Sequence, residues 1–485
     1  MSTIPHWLDQ RAVTHADHPA LIVGETVLTF AALATRAAAV SARLAALGVA
    51  RGDRVALLLG NRLEFAELLH GVTRLGAVAV PLGVRFGAAE VVALLRTCRC
   101  RLLVYEQATQ AVAAALPHQL VAARLALDRA ALPGDRVLSD LPAAARLDLD
   151  APHTVVFTSA SSGAPKGVVL SAGNHLWNAL GSACTLGVHA EDRWLACLPF
   201  HHVGGLSILL RSAIAGTTAI MHERFDPVRV NHAIDAQGVT IVSVVANMLQ
   251  RLLDERGARP YPPTLRCVLL GGGPVPRALL EEAVRRGVPV APTYGMTEAA
   301  SQIATLAPRR LGGVGRPLPG VELRIAAGAP GEVGEIQVRG PSVSPGYIAD
   351  GDAVIPTGEW LRTGDLGRLD GAGCLTVIGR ADDLIISGGE NVHPREVEQA
   401  LESHPGVAEA CAFGLPDPRW GEVVAACVRP RPGYGLDGDT LSRHARQRLA
   451  GFKLPRRIEV VAEFPRSPAG KILRRALRTE RLVPS

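Results

Sequence analysis

Between residues 50 and 300, short runs of β-branched and aliphatic residues recur, each leading into a loop of small residues. RVALLLG, AVAVPLG, RLLVYE, TVVFTSAS, RWLACLPF, TIVSVVAN, RCVLLGGG and VPVAPTYG all have this form. They are apolar at successive positions, as strands buried on both faces are. Between them lie Ala/Leu/Arg segments such as FAALATRAAAVSARLAAL, with Gly48 placed to end that helix. Strands alternating with helices predict parallel sheets covered by helices. In such sheets ligands bind in the crevice at the carboxyl ends of the strands, where these loops lie.

After about residue 305 the texture changes. Gly/Pro punctuation thickens and the short runs VELRIA, GEIQVRG and CLTVIGR suit a small β-barrel. A third texture follows residue 383, with an amphipathic EVEQALESHPGV and the strand-like AEACAFGL, EVVAACVRP and RRIEVVAEF. The boundary is expected near 380–383, giving an N-terminal unit of residues 1–380 and a C-terminal unit of residues 381–485. A chain of 485 residues with 48% hydrophobic content can fill more than one core. No apolar stretch approaches a membrane span, and the first fifteen residues lack a basic region followed by an apolar one. The chain therefore reads as soluble and cytoplasmic. Its eight cysteines are too scattered for a disulfide framework, and Cys98 and Cys100 lack the partner pair a zinc site needs. Net charge is +6, but the arginines are dispersed and aromatic content is only 4%, so nucleic acid is discounted as a partner.

Of 51 basic residues only Lys166, Lys453 and Lys471 are lysines. Two of the three lie in loops punctuated by glycine: Lys166 in TSASSGAPKG and Lys471 in SPAGKI. An ammonium is a compact charge on a flexible stem, suited to reaching a phosphate or a carboxylate. In the first loop Thr158, Ser159, Ser161, Ser162, Gly163 and Lys166 can wrap a polyphosphate through N–H and O–H groups. It is not a Walker A loop, which needs an earlier glycine and a hydroxyl residue after the lysine. In TYGMTEAASQIATL, Tyr294 offers a flat face, Thr297 a hydroxyl and Glu298 a carboxylate at a strand end. A carboxylate beside a phosphate loop suggests a magnesium ligand. WLRTGDLGRLD puts Asp365 on a tight turn, where its carboxylate could accept hydrogen bonds from ribose hydroxyls.

Taken together and in this order, the loop at 158–167, TYGMTE at 293–298, TGD at 363–365, GRADDLIISGGENV at 379–392 and PRSPAGKI at 465–472 resemble the adenylate-forming superfamily. That superfamily includes acyl- and aryl-CoA ligases, luciferases and peptide-synthetase adenylation domains. The resemblance runs end to end. It implies an α/β fold with a large N-terminal domain of two αβ subdomains plus a small β-barrel, and a small, mobile α+β C-terminal domain. It implies that the 158–167 loop holds the β- and γ-phosphates, that Tyr294, Gly295 and Met296 flank the nucleotide, and that Thr297 meets the α-phosphate. Glu298 would ligate magnesium, Asp365 the ribose hydroxyls, and Arg380 ribose or phosphate. Gly271 and Gly272 would let substrate and adenine approach the strand end. Asp382 falls at the hinge position. Lys471 would bridge the attacking carboxylate and the α-phosphate, and Gly388 and Gly389 would let the pantetheine arm of coenzyme A pass. Ala160 and Ser161 depart from the Gly and Thr common in that loop, with phosphate binding expected to survive. Lys453, in GFKLPR, is expected to be structural or to face coenzyme A.

Within the superfamily the chain most resembles o-succinylbenzoate–CoA ligases of menaquinone biosynthesis, through HWLDQRA, LPFHHVGGLSILLRS, LLGGGPVP, TYGMTEAASQIATL and IISGGENVHPREVE. The implied substrates are a carboxylic acid, ATP with magnesium, and coenzyme A. A homo-oligomer is compatible with this. That acid carries a spectator carboxylate, for which Arg211 is the candidate cation and Ser301 a candidate donor; a solvated surface arginine is the bland alternative. His202 would border the acyl pocket, and His201 stands where Phe or Tyr is common. Other readings are another aryl- or fatty-acyl-CoA ligase, or an adenylating enzyme that loads a carrier protein in trans. A nucleotide-binding protein without catalysis would be expected to lack Lys471 or Glu298, and both are present.

Overall fold

The computed structural model describes residues 3–127, 145–158, 165–326, 331–348, 354–466 and 472–481. Each of the eight strand-like runs between residues 50 and 300 becomes a strand, and they divide between two sheets. In the first, the parallel strands Ala123–Leu127, Leu102–Glu106, Arg54–Leu58, Val78–Leu82 and Pro152–Thr158 lie side by side. Lys166–Ser171 and Gly346–Ile348 then extend it antiparallel. In the second, Val290–Met296, Cys267–Leu270, Ile241–Val244, Arg193–Ala196, Thr218–Met221 and Pro19–Val23 run parallel. Val55, Leu57 and Ala79 of the first sheet share one core with Trp194, Ala196 and Ala219 of the second. The helices Phe30–Ala46, Leu63–Arg74 and Val203–Ala215 also contribute to that core.

The helix Phe30–Ala46 shows why these segments fold as they do. Thr29 caps it, its hydroxyl accepting from Ala32 N at 3.2 Å. Leu33, Ala34, Ala37, Val40 and Leu44, at helical spacing, are all buried. Gly48, at φ +80°, follows its last turn, as the sequence predicts. Among the described residues no helix is long and apolar enough to cross a membrane.

Where the sequence suggests a small β-barrel, four antiparallel strands, Glu322–Ala326, Gly334–Arg339, Leu361–Leu369 and Leu375–Arg380, form a sheet around Ile336, Val338, Leu361 and Leu375. One local expectation is overturned here. Asp365 is not on a tight turn but inside the strand Leu361–Leu369, paired with Arg380. The Thr-Gly-Asp run read as a turn because Gly364 does take φ +70°, but it kinks a strand instead of ending one. Beyond residue 380, the antiparallel strands Val407–Asp417 and Gly421–Pro430 build a sheet with its own core of Ile385, Val397, Leu401, Val424 and Leu441.

Candidate active site

The carboxyl ends of the two parallel sheets carry most of the residues the sequence singles out. Thr158 and Lys166 face each other across the antiparallel pair that closes the first loop, with the Thr158 hydroxyl 3.5 Å from the Lys166 carbonyl. Ser159, Ala160, Ser161, Ser162 and Gly163 lie outside the described residues, as does Lys471. Lys166 is exposed and sets its Nζ 5.3 Å from the centre of the Tyr347 ring. The Tyr347 hydroxyl in turn donates to Glu298 Oε1 at 3.0 Å. Burial, then the Glu298 charge, pushes the Tyr347 phenol upward, so it stays a donor at neutral pH. Tyr347 therefore joins Lys166 to Glu298, the candidate magnesium ligand. The sequence reading missed it; a tyrosine in a chain with only five was the available signal.

Glu298 is buried in a single 3-10 turn, Thr297–Ala299, at the end of the strand Val290–Met296. The geometry around this turn is tight. A Cβ on Gly295 would lie 1.8 Å from the Ser301 carbonyl oxygen, so only glycine lets the chain double back here. Ala300 and Ser301 then take φ +56° and +136°, values that cost non-glycine residues about 1–3 kcal/mol each. Among the described residues no cluster of three or more His, Cys, Asp or Glu could hold a metal. A lone buried carboxylate fits magnesium nonetheless, since that ion keeps several waters and is usually completed by substrate phosphates.

On the other side of the turn, the Tyr294 hydroxyl donates to Asp365 Oδ2 at 2.7 Å, and Arg380 Nε pairs with Asp365 Oδ1 at 2.8 Å. Burial, then the Asp365 charge, pushes the Tyr294 phenol up as well. These bonds orient the Asp365 carboxylate. Gly271 and Gly272 follow the strand Cys267–Leu270, next to Tyr294's strand.

Arg211 is not a solvated surface residue: it is 5% exposed. Its Nη2 donates to Asn178 Oδ1 at 2.6 Å and its guanidinium lies 5.3 Å from the Trp194 ring centre. Nε has no hydrogen-bond partner, and no carboxylate pairs with this arginine among the described residues. Burial pulls its pKa down to about 9, which leaves it charged at neutral pH. Ser301 sits one turn from Glu298, partly exposed. His201 and His202 stand side by side, ring centres 4.1 Å apart, with His201 against Phe86 at 5.8 Å.

The C-terminal features are separate in kind. Asp382 is exposed in the one-turn helix Ala381–Asp383. The next residue, Asp383, is tied to Arg474, which also donates to Glu398 Oε1 at 2.6 Å. Gly388 and Gly389, at φ +61° and +87°, make a two-residue hairpin turn of the kind that requires positive φ at both positions. The exposed Trp420 ring packs on Gly388, flanked by the guanidinium groups of Arg419 and Arg456 at 5.0 and 5.4 Å. Lys453 is engaged by both oxygens of Glu396, at 2.7 and 2.8 Å, which favours a structural role for it. Arg395 reaches Val275 O at 3.3 Å, so this part of the chain touches the loop that follows Gly271–Gly273.

Candidate nucleotide-binding residues at the ends of two parallel sheets, followed by a small α+β unit, match the arrangement of an adenylating enzyme. The chain belongs to the AMP-binding enzyme family, whose model matches residues 8–348, with the AMP-binding enzyme C-terminal domain matching residues 396–471. It is 44% identical over 494 residues to the 2-succinylbenzoate–CoA ligase of Geobacillus kaustophilus, covering 100% of this chain and 99% of the relative. It superimposes on o-succinylbenzoate CoA synthetase from Bacillus subtilis in complex with the acyl-adenylate intermediate OSB-AMP, with a TM-score of 0.88 and 38% identity over 99% of both chains. ATP-bound MatB from Rhodopseudomonas palustris matches with a TM-score of 0.89 and 27% identity, again over 99% of both chains.

Proposed function

We propose that this chain is an AMP-forming acid–CoA ligase that converts o-succinylbenzoate, ATP and coenzyme A to o-succinylbenzoyl-CoA, AMP and pyrophosphate. It is a menaquinone-pathway enzyme whose partners are small molecules, and it acts in the cytoplasm. The acid assignment rests on one observation: Arg211 is a buried guanidinium with no carboxylate partner among the described residues. A buried cation of that kind is costly unless a ligand pairs with it, and o-succinylbenzoate brings a second carboxylate.

In the first half-reaction one carboxylate of the acid attacks the α-phosphorus of ATP, forming the acyl-adenylate and releasing pyrophosphate. Both reactants are anions, so the protein's contribution is to hold them in line and offset their charge. The 158–167 loop with Lys166 holds the terminal phosphates, Thr297 the α-phosphate, and Asp365 the ribose. Glu298, with Tyr347 fixing one of its oxygens, would hold magnesium, which when bound supplies positive charge to the phosphate oxygens. Lys471 places its ammonium between the attacking carboxylate and the α-phosphate. His202 borders the acyl group, with Ser301 as a donor to the acid.

In the second half-reaction the coenzyme A thiol, losing its proton, attacks the acyl carbonyl and expels AMP. Residues 381–485 turn against residues 1–380 about Asp382, withdrawing Lys471 and bringing the Gly388–Gly389 hairpin to the site. Asp382 is exposed at the middle of its one-turn helix, whereas Asp383 and Arg474 bind the far side of the hinge into one piece. The exposed Trp420 ring between two arginines, beside the hairpin, offers stacking and charge to the nucleotide end of coenzyme A. Gly389 has open space around its would-be Cβ, so Gly389→Leu folds at some strain from its positive φ but fills the passage. Thioester formation from supplied adenylate should then fall about a hundredfold while pyrophosphate release is retained. Loss of pyrophosphate release instead would remove the hairpin from the coenzyme A path. The function as a whole is tested by stoichiometry: o-succinylbenzoyl-CoA, AMP and pyrophosphate should appear in equal amounts, and adenylate that accumulates without thioester would contradict it.

A further inference from the structure

Asn178 lies on the helix Ala172–Leu186, is 2% exposed, and belongs to none of the groups given a role above. Its amide is nonetheless engaged on both sides. Nδ2 donates to Ala299 O at 3.0 Å and to Gln302 O at 2.9 Å, while Oδ1 accepts from Arg211 Nη2 at 2.6 Å. The two carbonyls bracket Ala300 and Ser301, the adjacent non-glycine residues at positive φ, and Ala299 directly follows Glu298. Strain of this kind persists only where surroundings hold it, and here one side-chain amide bridges the strained pair. The guanidinium also fixes which way the amide faces: with Oδ1 turned to Arg211, Nδ2 can only face the carbonyls.

One turn earlier on the same helix face, Asn174 does the same for the segment beside Glu298's partner. Its Nδ2 donates to Pro341 O and Val343 O, both at 2.9 Å. Ser344, next in sequence, donates its N–H to Glu298 O at 2.7 Å and leads to Tyr347. Two asparagines at i and i+4 thus hold both chain segments that place the Glu298 carboxylate.

We propose that Asn178 is a positioning residue that couples the acid site to the nucleotide site: Arg211, on pairing with the second carboxylate of the acid, sets the Asn178 amide, and that amide sets the Glu298 turn. This rests on the assignment of Arg211 to that carboxylate. The coupling runs through three hydrogen bonds between buried groups, so it is neither screened by solvent nor dependent on rotation of residues 381–485. Because both ligands need the same orientation of the Asn178 amide, the acid is expected to tighten binding of magnesium-nucleotide, and by linkage the nucleotide then tightens binding of the acid by the same factor.

The test is calorimetric binding of α,β-methylene-ATP, with and without magnesium, to the full chain in the presence and absence of o-succinylbenzoate. Wild type should show magnesium-dependent coupling of about fivefold or more. Asn178→Asp keeps the shape and still accepts from Arg211, but it cannot donate to either carbonyl. In this variant the coupling factor should fall to about one, acid binding should weaken because Arg211 is already neutralised, and the magnesium increment in nucleotide affinity should shrink. Asn178→Ser, which leaves Arg211 unneutralised, should also lose the coupling. A purely structural role would lower the thermal midpoint and leave the coupling factor at its wild-type value, and that result overturns the proposal. If wild type binds o-succinylbenzoate without any coupling, the proposal fails while the acid assignment stands. If wild type does not bind the acid at all, both fail.

Discussion

Lys471→Ala should abolish formation of the acyl-adenylate and spare thioester formation when the adenylate is supplied. The attacking carboxylate and the α-phosphate repel each other until a cation stands between them, and an ammonium on a flexible stem is the group that can occupy that point. Removing one preorganised electrostatic contact to the reacting atoms typically costs about a hundredfold to a thousandfold in rate. The second half-reaction carries no such requirement, because the thiol attacks a carbonyl whose leaving group is already activated. In the proposed cycle Lys471 has also been withdrawn by then. The measurement is pyrophosphate release in one assay and AMP release from synthetic o-succinylbenzoyl-adenylate with coenzyme A in the other. Equal loss in both would strip Lys471 of its assigned role. Arg448, Arg456 and the other arginines of this region could not substitute, since a planar fork does not reach between two anions as a point charge does.

Arg211→Met should have the second large effect, on acid binding and on its coupling to the nucleotide site. A buried charge pair whose one partner is removed typically loses about 2–5 kcal/mol, which is about thirtyfold to several thousandfold in kcat/KM for o-succinylbenzoate. Binding of magnesium-ATP without acid should stay within about threefold of wild type, because the Asn178 amide keeps both of its carbonyl partners, whereas the tightening of that binding by the acid should be lost with the Arg211–Asn178 bond. The thermal midpoint should stay close to that of wild type, since the substitution removes a desolvated charge that has no carboxylate partner among the described residues. Lysine at this position should restore part of the acid affinity but not the bidentate geometry of the guanidinium. A variant that bound nucleotide as poorly as acid, or that unfolded at room temperature, would mark Arg211 as a core residue and leave the spectator carboxylate without a partner.

Much of this arrangement is legible in the sequence because the strands are buried on both faces and read as unbroken apolar runs, while the loops at their ends are marked by Gly and hydroxyl residues. The TYGMTE turn could be placed at a strand end for that reason, and Gly295 proves indispensable to it. Asp365 could be singled out as a candidate carboxylate but not placed in a strand, because a glycine with positive φ looks the same in a turn and in a kinked strand. What the sequence could not show is contact across the fold. Tyr347 reaches Glu298 from 49 positions away, and Arg211 reaches Asn178 across 33. Among 48 arginines nothing local distinguishes Arg211; its burial, and its lack of a carboxylate partner among the described residues, exist only once the two sheets are packed. Asn178 carried no signal at all, since a helical asparagine followed by apolar residues is an ordinary helix face until its amide is seen to hold a strained turn.

The most direct test of the account is pyrophosphate release with ATP and magnesium across a small panel: o-succinylbenzoate, benzoate, 4-coumarate, a medium-chain fatty acid and several amino acids, each with and without coenzyme A. Strong turnover on o-succinylbenzoate alone, dependent on coenzyme A, is the expected result. Preference for a monocarboxylate would contradict it, leaving the adenylating mechanism in place and Arg211 without the ligand its burial demands.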